Sequence, residues 1–126
     1  MWQEYADQHR GCCWEFERSE KGMFANVEEA RYEGKLPTVN PFEAPHVEVN
    51  NAIMLTKAEK FRFEDEWRIW DARGPGYWRY NAGDLTGIIF GYLMPKEDRE
   101  LLAHLMNRSH PTARINEVVR TEREVS

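Results

Sequence analysis

Residues 57–70 read KAEKFRFEDEWRIW, from Lys57 to Trp70. Read as one extended segment, the stretch places its side chains alternately on two faces. Arg62, Glu64, Glu66 and Arg68 then share one face, and Phe61, Phe63, Trp67 and Ile69 share the other. A strand of this kind buries its apolar face. Its charged face is either a solvated ladder of ion pairs or the floor of a polar site. The pattern therefore predicts a sheet with one strand at its centre of interest, and it makes Glu64 and Glu66 the residues to watch.

On the C-terminal side, WRIWDARGPGYWRY over 67–80 predicts a β-hairpin turning at Gly74-Pro75-Gly76. The same segment interleaves Arg68, Arg73 and Arg79 with Trp67, Trp70, Tyr77, Trp78 and Tyr80, the chemistry of a stacking surface. Next, Asp84 to Gly91 holds a short apolar run bounded by glycines, predicted to be a central strand. Pro95 suits a first helical turn, with Glu97 and Asp98 complementing the dipole and Leu101, Leu102, Leu105 and Met106 as the apolar stripe. Residues 113–121 predict a last strand with Ile115 and Val118 or Val119 inward.

On the N-terminal side, Asn50 or Asn51 is placed to cap a helix running through Lys60, with Ile53, Met54 and Lys57 on successive turns. Pro37, Pro41 and Pro45 predict an irregular connection over 35–46. Residues 27–33 predict a strand reaching Tyr32, and 19–25 a loop around Gly22. Cys12 to Arg18 predicts a strand that buries Cys12, Trp14 and Phe16. Trp2, Tyr5, Ala6 and His9 follow helical spacing, so 2–10 predicts a helix ended by Gly11. The fold class expected from this mixture is α+β, a small mixed or antiparallel sheet packed by two or three short helices in one domain over 1–126.

Composition narrows the function classes. The chain has 126 residues, of which 41% are hydrophobic and 31% charged, and it contains five Trp, five Tyr and six Phe; that content folds and buries a core without staples. Its formal charge of −5 repels a phosphate backbone, which disfavours nucleic acid as the main partner. No apolar run approaches the roughly 18 to 20 residues of a membrane span, and MWQEYADQHR lacks the pattern of a signal peptide, so a cytoplasmic location without membrane association is expected. Cys12 and Cys13 are adjacent, a spacing that suits neither a structural disulfide nor zinc, and they read as reduced strand residues. The histidines, His9, His46, His104 and His110, are scattered, so no metal site is expected. His9 lies on the apolar stripe of the first predicted helix, where it packs or, less often, binds. No hydrolase triad, P-loop or dinucleotide fingerprint is present.

Three segments together resemble the bacterial family catalogued as domain of unknown function 2971: MWQEYADQHRGCCWEF, LTKAEKFRFEDEWRIW and DLTGIIFGYLMPKEDRELLAHL. In the second, Lys57, Phe61, Glu64, Glu66 and Arg68 occupy the positions of that family's Lys, aromatic, Glu-x-Glu-x-Arg strand. Members of the family carry a further segment before the Trp-x-x-Tyr-Ala signature, so the resemblance implies a shortened relative or a chain that starts after its natural beginning.

Two functions are expected from these residues. One is a small binding or modulator protein, such as an inhibitor in a phage–host conflict system, that uses no cofactor and meets another protein through Arg68, Trp78 and Arg79. The other is an NAD-using enzyme similar in layout to ADP-ribosyltransferase-like folds, with Glu66 and Glu64 as catalytic carboxylates and Tyr5 and Tyr32 packing the nicotinamide; Lys57 and His9 are further candidate binding residues. Against the second stands the reading of Glu64 and Glu66 as a structural network with Arg62, Arg68 or Lys57. A homodimer is a further expectation, since Trp2 and Tyr5 need cover.

Overall fold

The computed structural model describes residues 1–38, 40, 42–43, 46–71 and 73–121, with the side chains of 46–48 left aside. The fold is α+β, with short helices and small sheets. The chain divides into two compact units, Met1–Phe24 with Arg79–Ser126, and Ala25–Trp78.

In the first unit the glycine-bounded apolar run forms β6, Leu85–Phe90, the middle strand of a three-stranded sheet. Leu85, Ile88 and Phe90 are buried, as a continuous apolar run covered on its faces requires. On one side β6 pairs antiparallel with β1, Cys12–Phe16, in the register Cys12↔Phe90, Cys13↔Ile89 and Trp14↔Ile88. On the other it pairs parallel with β7, Arg114–Glu117, in the register Ile88↔Ile115 and Phe90↔Glu117. Helix α3, Lys96–Ser109, begins after Pro95 as its sequence predicts and closes the core with Met106, joined by Met94 and the half-buried Leu102 and Ala103. The stripe expected on α3 is displaced: Leu101 and Leu105 are exposed, and the buried line runs Leu102, Ala103, Met106. These three stand at i, i+1 and i+4, and one turn earlier the same face carries Arg99, which reaches Glu117 of β7 at 2.9 Å.

The N-terminal helix is shorter than its spacing predicts. Helix α1 covers only Trp2–Tyr5, and Asp7, Gln8 and His9 take left-handed conformations with φ of 47°, 52° and 68°. The reversal lets the His9 carbonyl accept the Leu93 N–H at 3.0 Å and the Gly11 carbonyl accept the Gly91 N–H at 2.9 Å, so sheet-side bonds override helical continuation. The face of β1 expected to be buried is also corrected. Trp14 and Phe16 are exposed and only Cys12 packs on the core, because β1 is an edge strand and its register slips between Glu15 and Phe16. Phe16 instead packs on Phe24 and, edge-on, on Tyr80. In the last strand Val118 is half-buried, whereas Ile115 and Val119 are exposed, since β7 is the opposite edge.

In the second unit the strand predicted over 27–33 is broken at buried Ala30 into β2, Glu28–Glu29, and β3, Arg31–Glu33. Helix α2 runs His46–Leu55, earlier than the Asn50 or Asn51 start expected, and gives way to β4, Thr56–Ala58, rather than continuing to Lys60. Pro41 and Pro45 of the expected loop lie outside the described residues. Strand β4 pairs parallel with β3, setting Tyr32 beside Lys57.

The stretch 57–70 is not one strand. It is β4, a 3₁₀ helix over Glu59–Glu64, a left-handed Asp65, and the two-residue β5, Trp67–Arg68. The expected 67–80 hairpin is likewise absent among the described residues, because β5 pairs with β2, as Glu28↔Arg68 and Glu29↔Trp67. The apolar face expected to be buried is also corrected: a 3₁₀ helix with three residues per turn does not keep a two-residue alternation, and Phe63, Trp67 and Ile69 are exposed.

Candidate functional site

The charges are brought together in the second unit by β4, the 3₁₀ helix, β5 and the link between the last two. Lys57 sits in the middle of β4, held by the β3 pairing. The 3₁₀ helix carries Glu64 to its end, and Asp65, at φ 46°, donates its N–H to the Arg62 carbonyl at 3.1 Å and reverses the chain. Glu66 therefore returns toward Lys57 from the far side, with its carbonyl accepting the Ala30 N–H at 2.8 Å and its own N–H donating to the Tyr32 hydroxyl at 2.7 Å.

Lys57 Nζ donates to Glu64 Oε2 and, at 2.8 Å, to Glu66 Oε2. Arg68 grips the same Glu66 carboxylate, Nε to Oε1 at 2.6 Å and Nη2 to Oε2 at 3.4 Å, and its Nη1 donates to the Met54 carbonyl in the last turn of α2 at 2.9 Å. A guanidinium on a carbonyl of a helix C-terminus is favoured by the helix dipole as well as by the bond. The side chains grade from inside to outside: Glu64 is 4% exposed, Lys57 16%, Arg68 29% and Glu66 30%. Arg62 is not part of this set. It pairs with Glu59 at 2.5 and 2.8 Å and lies over the Tyr32 ring at 5.5 Å.

The electrostatics follow from the contacts. Glu64 and Glu66 hold the Lys57 ammonium above its ordinary range against the opposing cost of burial. Arg68, helped by Lys57, holds the Glu66 carboxyl below its ordinary value, and the pairing raises Arg68 in turn. Both Glu66 oxygens accept bonds from cations, and the two cations balance the two carboxylates. A carboxylate in that state is a weak proton donor and has little unneutralised charge to offer an oxocarbenium centre.

The other residues singled out from sequence fall elsewhere. In the second unit, Trp78 lies under the Arg73 guanidinium at 3.7 Å, and Arg73 is anchored by Asp71, whose carboxyl that contact holds at about 2. Tyr77 beside it is fully exposed. In the first unit, Arg79 is exposed, Tyr5 lines an apolar cavity of about 350 Å³ with Trp2, Cys12 and Trp14, and His9 packs on Tyr92 at 4.8 Å with its Nδ1 buried. Thus Glu64, Glu66, Lys57, Arg68 and Tyr32 come together in the second unit, while Tyr5 and His9 belong to the first. Among the described residues no group of three or more His, Cys, Asp or Glu is placed to hold a metal ion, and no helix is long and apolar enough to cross a membrane.

Sequence reasoning missed the Tyr32 hydroxyl as the acceptor for Glu66 and the Met54 carbonyl as the seat of Arg68, since neither contact leaves a mark in local spacing. It also missed Asp71, for which the short spacing to Arg73 was a usable signal. The chain matches no family model, no curated protein and no solved structure, so the three-segment likeness described above rests on the quoted residues alone.

Proposed function

We propose that this protein acts by binding another protein, as a modulator or inhibitor, through the aromatic surface of its second unit, and that the Lys57–Glu64–Glu66–Arg68 cluster is the brace behind that surface. The observation that carries the reading is the occupancy of Glu66: with Arg68 and Lys57 on both oxygens, the carboxylate is committed to structure. The exposed aromatic side chains Phe63, Trp67 and Tyr77, with Trp78 held rigid under Arg73, have the composition of interface anchors. A pre-stacked tryptophan loses little freedom on docking, which favours affinity.

The test compares three proteins, the parent chain, Glu66→Gln and Trp78→Ala, in two assays: consumption of labelled NAD with transfer of label to macromolecules, and capture of a partner on the immobilised chain. The expected result is no NAD consumption by any of them, with capture weakened at least about tenfold by Trp78→Ala and retained by Glu66→Gln. NAD turnover that disappears in Glu66→Gln would replace this reading with the ADP-ribosyltransferase-like one.

A further inference from the structure

The large apolar residues of α3 come in doublets, Leu101-Leu102 and Leu105-Met106. Neighbours on a helix stand about 100° apart around its axis, so the two members of a doublet face different ways. The core takes Leu102 and Met106, and leaves Leu101 56% and Leu105 49% exposed. Asp98 in the first turn and Arg108 in the last are exposed as well. Asp98, Leu101, Leu105 and Arg108 follow one another at steps of three, four and three residues, the spacing that keeps a single seam along a helix. Helix α3 therefore has two stripes, one that closes the core and one that faces outward.

Two charge pairs of the helix are satisfied within the chain: Lys96 pairs with Glu100 at 3.5 Å and Arg99 with Glu117 at 2.9 Å. Among the described residues Asp98 and Arg108 make no ion pair. The outward seam thus reads acid, Leu, Leu, base, an order that meets its own complement when it is reversed.

We infer that the outward stripe of α3 is a self-association surface, on which two copies of this chain pair antiparallel about a two-fold axis, Leu101 against the partner's Leu105 and Asp98 against the partner's Arg108. The charges choose both this occupant and its direction. Reversed on itself, the seam sets an acid against a base at each end and a leucine against a leucine twice between them. A parallel pair would set acid on acid and base on base. The two-fold axis lets one seam supply both halves of the contact. With two leucines from each copy, the contact falls below the roughly 1,600 Å² of a standard interface, so the association is weak, with a Kd on the order of 100 μM. The surface belongs to the first unit and is independent of the binding proposed for the second, and the homodimer expected from Trp2 and Tyr5 draws on other residues.

Sedimentation equilibrium of the full chain at low salt, from about 10 μM to about 1 mM, tests the pairing on the parent, Leu105→Glu, Asp98→Arg and Arg108→Asp. Circular dichroism and thermal unfolding confirm that each variant folds; all three positions are exposed, so the core keeps its contacts. The expected result is a reversible monomer–dimer equilibrium in the parent, weakened at least about tenfold in each variant. An equimolar mixture of Asp98→Arg and Arg108→Asp should associate again, because each chain then meets an opposite charge at both ends. The double variant Asp98→Arg with Arg108→Asp should associate alone, since both reversed charges again meet their opposites. Such recovery separates a lost contact from a damaged helix. A parent that stays monomeric up to about 1 mM, a dimer that Leu105→Glu leaves intact, or charge reversals that do not recover on mixing would each overturn the proposal.

Discussion

The Glu66 main-chain N–H donates to the Tyr32 hydroxyl at 2.7 Å, tying the residue after the left-handed Asp65 to a strand more than thirty positions away in sequence. That bond fixes where Glu66 begins its path back to Lys57. Tyr32→Phe keeps the ring under Arg62 but leaves a half-buried N–H without its acceptor. The expected cost is about 1 kcal/mol, read as a fall of about 2 to 6 °C in the thermal midpoint. An unchanged midpoint would mean that water replaces the hydroxyl without loss.

Glu64 is the most deeply placed charge of the cluster, 4% exposed, and Lys57 is the cation that neutralises it. Lys57→Met should destabilise the chain more than Tyr32→Phe does, because it takes an ammonium away from two carboxylates at once, one of them only 4% exposed. Adding Glu64→Gln to Lys57→Met should recover part of the loss. Equal and additive losses in the two single variants and the double would show that the pair is not coupled.

Stability should depend on pH through carboxyls whose folded values are depressed. Glu66 lies below its ordinary 4.5, and Asp71 is at about 2 against an ordinary 3.8. Such groups stabilise fully above their unfolded values, and the contribution is lost as pH falls through the folded ones. Lys57, raised above 10.5, has the opposite sign: its contribution is present below that value and is lost only as pH rises past the folded one. The thermal midpoint should therefore fall as pH is lowered from about 5 to about 2, and Glu66→Gln should flatten the upper part of that fall. A titration with the same slope in parent and variant would remove Glu66 from the account.

At Gly91 an added Cβ would stand 2.1 Å from the His9 carbonyl oxygen and 2.9 Å from that of Gly11, both main-chain atoms held by hydrogen bonds. Gly91→Ala should cost more than about 3 kcal/mol. Gly83→Ala, where nothing lies within 4 Å, is the control and should stay within about 0.5 kcal/mol. Comparable losses in the two would indicate that the α1 turn moves aside.

Local chemistry in the sequence determined the α+β class, the central strand Leu85–Phe90 and the helix that starts after Pro95, because each is written in contiguous residues: an apolar run between glycines, a proline followed by acids, a repeating apolar face. It also picked out Glu64, Glu66 and Arg68, but with Arg62 on the same face and Lys57 only as an alternative partner, whereas in the structure Lys57 joins the group and Arg62 turns to Glu59. Only the tertiary structure decided the backbone that carries them. The alternation in 57–70 does not survive folding: Phe63, Trp67 and Ile69 are exposed and Arg62 turns to Glu59, while the Glu66 main chain is held by two partners remote in sequence, the Tyr32 hydroxyl and the Ala30 N–H. The same holds for the end of α1, where the chain turns through left-handed residues and the His9 and Gly11 carbonyls beyond the helix accept the Leu93 and Gly91 N–H groups. Hydrogen bonds between distant residues have no local period, so their outcome appears only when the chain is folded.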